Sequence, residues 1–135
     1  MTVLGVGLDL VEVDAFAEQL DAPGTTFEES FSARELADTS GEPPERRARR
    51  LAARFAVKEA FIKAWSVARP HRAPALSEVN LAEIEVVLDV AGRPILEVRG
   101  EVADAVRCTL GEVAMMTSLT HEHGTAAAVV LIQAP

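Results

Sequence analysis

Residues 3–13 form a run of valine and leucine broken by Gly5, Gly7 and Asp9, a pattern that predicts a strand. Alternation places Gly5, Gly7, Asp9 and Val11 on one side and Leu4, Val6, Leu8 and Leu10 on the other. The second side is wholly apolar and is expected to face the core. The bare first side would admit another backbone or a ligand. Phe16 and Leu20, four apart, predict a short amphipathic helix over 14–20, closed by Pro23 and Gly24. Phe27 and Phe31 suit a second short helical stretch, and Ser32 with Glu35 forms a capping-box pattern opening another. Residues 45–66 hold no Gly or Pro and are rich in Ala, Leu and Arg; they predict the longest helix, with Pro44 at its first position. Residues 67–77, with Pro70 and Pro74, read as a loop. Strands are expected over 81–90 and 95–98 around an Asp89–Pro94 turn, a helix over 101–110 stopped by Gly111, and strands over 113–121 and 126–133. The fold class is α+β, one long helix packed on a mostly antiparallel sheet.

The chain has 135 residues, 49% of them hydrophobic, which is enough for one domain over 1–135 and too little for two. A net charge of −8 argues against a nucleic-acid binder relying on a basic surface. One cysteine, Cys108, excludes an internal disulfide framework and any CxxC motif, and fits a reduced, cytoplasmic setting. No apolar run approaches the ~18 residues of a membrane span. The start carries Asp9 and Glu12 without a basic region, unlike a secretory signal. A soluble, acidic protein is expected, with no membrane or nucleic-acid partner.

Against that acidic background, Arg47, Arg50, Arg54 and Lys58 step along the long helix by 3, 4 and 4 residues and share one strip. Such a strip is either a solvated helix face or a contact for a polyanion such as a nucleotide phosphate. Beside it stand Phe55, Glu59 and Lys63. Glu59 and Lys63 could form an ordinary i, i+4 ion pair worth about 0.3–0.5 kcal/mol. The neighbouring alanines 52, 53, 56, 60 and 64 instead suggest close packing there, and Asp9 is a carboxylate in an apolar strand. One carboxylate from a strand and one from a helix is a common way to hold Mg²⁺, whose shell is completed by water and phosphate oxygens. A strand-end cap or an edge charge is the other explanation for Asp9. Ser118 and Thr120 fall on one face of a late strand, with Leu119 and His121 on the other. His121 and His123 have no zinc-site spacing, and Gly5 and Gly7 lack the third glycine of a dinucleotide fingerprint. Cys108 reads as an apolar helix position, and Trp65 as core.

Three ordered stretches resemble the holo-[acyl-carrier-protein] synthases, the small trimeric class of 4′-phosphopantetheinyl transferases. Gly5-Val-Gly-Leu-Asp-Leu-Val11 is similar to that family's G-x-G-x-D-[IL]-V. Arg54-Phe-Ala-Val-Lys-Glu-Ala-Phe-Ile-Lys-Ala64 resembles its signature R-[FW]-A-x-K-E-A-x-x-K-A. Ser118-Leu-Thr-His121, followed by Ala126-Ala-Ala-Val-Val130, resembles its C-terminal motif, and the turn at Asp89–Pro94 resembles its D-x-x-G-[KR]-P hairpin. The resemblance implies Asp9 and Glu59 as Mg²⁺ carboxylates and Lys63 as a contact of the coenzyme A pyrophosphate that stabilises or protonates the leaving group. It also implies Arg54 and Lys58 as phosphate holders, Ser118 and His121 at the nucleotide end, and a homotrimer with sites between protomers. The reaction implied is transfer of the phosphopantetheine arm from coenzyme A to a serine of apo-acyl-carrier protein, or of a carrier domain of a fatty acid synthase, releasing adenosine 3′,5′-bisphosphate. The family's first helix often carries arginines for the acidic carrier; here it reads Glu12-Val-Asp-Ala-Phe-Ala-Glu-Gln-Leu-Asp21, so either Arg34 or the Arg46–Arg50 run substitutes, or the carrier is a domain of a larger synthase. From the residues alone, a non-catalytic trimeric nucleotide-binding module and an enzyme acting on another pyrophosphate ester stay open.

Overall fold

The computed structural model describes residues 2–135. Strand β1 (Val3–Glu12) runs directly into helix α1 (Val13–Asp21), and a short 3₁₀ turn (Phe27–Ser30) leads to α2 (Ala33–Thr39). The long helix α3 (Pro44–Val67) follows, with Pro44 in its first turn, where a missing N–H costs nothing. After the 67–80 connection come a second 3₁₀ turn (Leu81–Glu83), the hairpin β2 (Ile84–Leu88) and β3 (Pro94–Val98), helix α4 (Gly100–Leu110), and strands β4 (Ala114–Glu122) and β5 (Thr125–Gln133). Sheet order is β1-β5-β4, with β2-β3 as a separate pair, and every described pairing is antiparallel. The long helix lies across the three-stranded sheet, as the α+β reading expects.

The expected orientation of β1 is reversed. Gly5 and Gly7 face α3, and a Cβ on Gly7 would come within 1.8 Å of the Ala60 carbonyl oxygen; one on Gly5 would come within 2.1 Å of that of Ala64. Only glycine permits this approach, and the helix answers with Ala56, Ala60 and Ala64, all fully buried. The apolar side is thereby turned outward, leaving Val6, Leu8 and Leu10 exposed at 48%, 60% and 66%. Leu4 alone escapes, packing on the core next to a register shift between Val3 and Gly5. Through the ladder, the outward side continues into Val129 and Leu131 of β5 and the exposed Met116 of β4. The monomer therefore carries an uncovered apolar sheet face of the kind that marks an interaction surface.

The core has two parts, both organised by α3. One joins Ala60, Phe61 and Trp65 to Ile84, Val102, Val130 and Ile132; the other joins Leu51 and Ala52 to Phe16 and Phe31. Trp65 is buried as expected and donates to the Thr109 hydroxyl at 3.0 Å. Cys108, expected on an apolar position of α4, is exposed, because Val102 and Val106 are the residues that α4 buries.

Candidate active site

Because the glycine side of β1 faces α3, Asp9 is carried to the helix on that same side, four residues along the strand from Gly5. Its carboxylate Oδ1 accepts a bond from the Lys63 ammonium at 2.9 Å, and the same ammonium donates to the Leu8 carbonyl at 3.0 Å. Glu59, one turn before Lys63, is half-buried beside them. Burial, and next the negative charge of Asp9, hold the Glu59 carboxyl above its ordinary pKa, while Lys63 opposes the rise. Lys63 thus joins the strand carboxylate rather than pairing with Glu59 along the helix.

Asp9 and Glu59 line one open groove of about 340 Å³, walled by Phe55 of α3 and by Ala15, Phe16 and Gln19 of α1. Two carboxylates, one under-neutralised, in a shared groove form an oxygen donor set suited to a hard divalent cation that keeps most of its ligands as water or phosphate. Among the described residues no group of three or more His, Cys, Asp or Glu could hold a metal. A cation at Asp9 and Glu59 would therefore draw its remaining ligands from solvent and substrate.

The cationic strip does not survive folding as a strip. Arg47 pairs with Glu28 at 3.0 Å, and Arg50 with Glu42 at 2.6 Å. Lys58 corrects its expected role as a phosphate holder: it is fully buried, bonds Glu35 at 2.7 Å and the Leu81 carbonyl at 2.9 Å, and also donates to the Ile84 carbonyl. Its three donors are consumed inside the protein. Burial pulls its pKa down, and Glu35 opposes that shift. Arg54 differs. It is buried against α2, 3.7 Å from Asp38, yet its Nε and Nη2 have no hydrogen-bond partner among the described residues. Burial, followed by the like charge of Arg50, lowers its pKa. A buried guanidinium with donors not used in hydrogen bonds has the chemistry to bind an anion.

Ser118 and His121 sit on opposite faces of β4, as alternation requires. His121 pairs with Ala126 of the helix-facing row, whereas Ser118 pairs with Val129 on the uncovered face. His121 opens into a second cavity of about 520 Å³, shared with Arg47, Arg49 and Asp14. Helix α1 stands between the two spaces, with Ala15 and Gln19 on the Asp9 side and Asp14 and Ala17 on the His121 side. A single chain brings Asp9, Glu59 and Lys63 together, and leaves His121 and Ser118 elsewhere. The partner of Lys58 was missed from sequence; Glu35 carried a signal only as a cap, a role it also fills.

A family model described as the 4′-phosphopantetheinyl transferase superfamily matches residues 5–126. The chain belongs to that superfamily. It is 48% identical to a curated holo-[acyl-carrier-protein] synthase of Mycolicibacterium smegmatis, and 47% identical to one of Mycobacterium tuberculosis, over 135 residues and the full length of both chains in each case. It matches the structure of a Chronobacterium ammoniagenes ACPS–CoA complex with a TM-score of 0.93 and 42% identity, covering 96% of each chain. The Mycobacterium tuberculosis acyl carrier protein synthase structure aligns with a TM-score of 0.78 and 41% identity, covering 98% of this chain and 99% of that one. The α+β fold and the assignment to the synthase family stand on these matches. No helix among the described residues is long and apolar enough to cross a membrane.

Proposed function

We propose that the enzyme transfers the 4′-phosphopantetheine arm of coenzyme A to a serine of apo-acyl-carrier protein, or of a carrier domain within a fatty acid synthase, in a Mg²⁺-dependent reaction in the cytoplasm. The observation that carries the reading is the Asp9–Lys63–Glu59 cluster at one groove, with Arg54 and its unpartnered donors on the same helix. In the reaction the serine oxygen forms a bond to the β-phosphorus, and the bond from that phosphorus to the bridging oxygen breaks. Adenosine 3′,5′-bisphosphate leaves with the electron pair, and the serine proton passes to Glu59, to Asp9 through water, or to water itself. Asp9 and Glu59 would hold the ion, which when bound supplies charge neutralisation at the diphosphate. Lys63 would meet the charge that develops on the bridging oxygen, and Arg54 would bind a phosphate of the nucleotide. Lys58 has no part in substrate binding in this reading.

Intact mass spectrometry of apo-carrier protein incubated with the enzyme, coenzyme A and Mg²⁺ tests the reading. The expected result is a gain of about 340 Da on the acceptor serine, the mass of the added group. Binding of coenzyme A without that gain would instead favour a non-catalytic nucleotide-binding module.

The uncovered face with Val6, Leu8 and Leu10 suits two further copies of this chain in a homotrimer, which supports a site completed across a subunit boundary. His121 and Ser118, which a single chain keeps away from Asp9, would then reach a neighbour's nucleotide. Asp9→Ala and His121→Ala are expected to be poorly active alone. After subunit exchange of an equal mixture, about a quarter of the sites regain both side chains, so activity should return to that order. No recovery would place each complete site within one chain. Docking of an acidic carrier has few free cations to use: Arg46, Arg47 and Arg50 are each engaged by Glu42 or Glu28, and α1 presents Asp14, Glu18 and Asp21. Arg49 is exposed and has no carboxylate within ion-pair distance among the described residues, which supports it as the member of the run that greets the carrier.

A further inference from the structure

We infer that Lys63 is the built-in counter-ion of the Asp9–Glu59 site, holding Asp9 while no divalent cation is bound and passing to the diphosphate once one is. The inference rests on the metal-dependent reading above and adds a binding order to it.

Asp9 has a side chain only 15% exposed, in a groove it shares with a second carboxylate, so its charge needs a near partner. Lys63 is that partner at 2.9 Å. Its own side chain is 53% exposed, so the ammonium sits at the end of a stem free to turn into solvent. The ammonium spends a second donor on the Leu8 carbonyl, so two of its three N–H groups are committed to β1. In this arrangement Lys63 has little left to offer an incoming phosphate. Glu59, on the same groove, has no side-chain ion pair or hydrogen bond among the described residues. A divalent cation between the two carboxylates would satisfy both and turn Lys63 into a like-charged neighbour. Lys63 then leaves Asp9 and becomes free to bind the diphosphate. Because each ligand alters the other's site, cation and diphosphate must strengthen one another's binding by the same factor. The ion pair is thus a lock that withholds the diphosphate contact until the cation has arrived.

Two titrations test this. In the first, Mn²⁺ binding is followed through the electron paramagnetic resonance signal of the free ion. Lys63→Met should bind Mn²⁺ roughly two- to fivefold more tightly than wild type, the size of a released exposed ion pair. Lys63→Arg keeps the pair and should match wild type. So should Arg69→Met, which removes an equal charge just beyond α3 from a side chain that bonds only the Ala73 carbonyl among the described residues. Asp9→Asn should abolish the site. In the second, inorganic pyrophosphate is titrated calorimetrically in the presence of a chelator. Asp9→Asn, which frees Lys63, should bind it several-fold more tightly than wild type, and the gain should vanish in the Asp9→Asn, Lys63→Met double variant. The inference is overturned if Mn²⁺ binds wild type and Lys63→Met equally, or if the pyrophosphate gain persists without Lys63. Should wild type show no Mn²⁺ binding that depends on Asp9, the metal-dependent reading falls together with the inference, an outcome distinct from the other two.

Discussion

Asp9→Ala and Glu59→Ala are each expected to lower phosphopantetheine transfer by at least about 100-fold, the scale on which loss of one preorganised charged contact to a transition state is felt. Neither should unfold the protein. Asp9 is reached by Lys63 from an exposed stem, and removing the acid leaves that ammonium free to enter water. Burial and the negative charge of Asp9 both disfavour the ionised form of Glu59, so a charge there opposes the fold. The sign follows from the raised pKa: whatever stability the protonated carboxyl contributes is present in full below the ordinary 4.5 and lost as pH climbs through the higher folded-state value. At neutral pH Glu59→Ala should therefore melt at or above the wild-type temperature, and the difference should shrink in acid. Rates from carrier mass gain, with thermal melts at pH 4 and pH 7, measure both halves. Near-wild-type transfer in either variant would remove the proposed chemistry, and a large loss of stability would recast the residue as structural. The coexistence of a stability cost with a catalytic need is common at active sites.

Glu35→Ala should give the largest loss of stability, about 3–5 kcal/mol, the range for stranding one member of a buried ion pair. Glu35 and Lys58 are both fully buried, and the ammonium also lies 5.3 Å from the centre of the Phe31 ring. Glu35 does more than pair with Lys58. It accepts from the Ser32 amide at 3.0 Å to close the capping box of α2, and from the Val86 amide at 3.1 Å to tie that helix to β2. A single carboxylate thus joins α2, α3 and the hairpin, and its removal leaves a buried ammonium without its counter-charge and two amides without acceptors. For a chain of this size the loss corresponds to a melting temperature lower by roughly 10–20 °C, readable by calorimetry or urea denaturation. Adding Lys58→Met should recover part of the loss by removing the stranded charge. Full recovery is not expected, because the amides of Ser32 and Val86 still lack acceptors. A Glu35→Ala loss below about 1 kcal/mol would mean that the pair is solvated or relaxed in solution.

How much of this was legible in the sequence depended on whether the signal was local. The α3 helix, its Pro44 start, the Asp89–Pro94 turn and the β4–β5 hairpin follow from propensity, capping and turn chemistry, which act over a few residues. Alternation along β4 correctly separated Ser118 from His121, since side-chain direction in a strand has a fixed period of two. The same rule misled on β1, where the apolar row suggested a core face. Hydrophobicity reports that a side chain seeks cover, without reporting whether its own chain or another provides it. Here the glycine row has the closer match, because backbone can approach Ala60 and Ala64 only where no Cβ intervenes. The four-cation strip was likewise a correct reading of helix geometry and an incomplete reading of what packs beside it.

By itself, the sequence determined the inventory of elements and the presence of Asp9, Glu59, Lys63 and Arg54 in motifs specific enough to place the chain in its superfamily. Tertiary structure alone decided which charges remain available. It spent Lys58 on Glu35, left two donors of Arg54 without a hydrogen-bond partner among the described residues, joined Lys63 to a strand residue 54 positions away, and turned one side of β1 to the outside. The physical reason is that a charge or an apolar surface has no fixed consequence along a chain. Its effect is set by the partner and the dielectric that folding brings to it, and these come from residues distant in sequence.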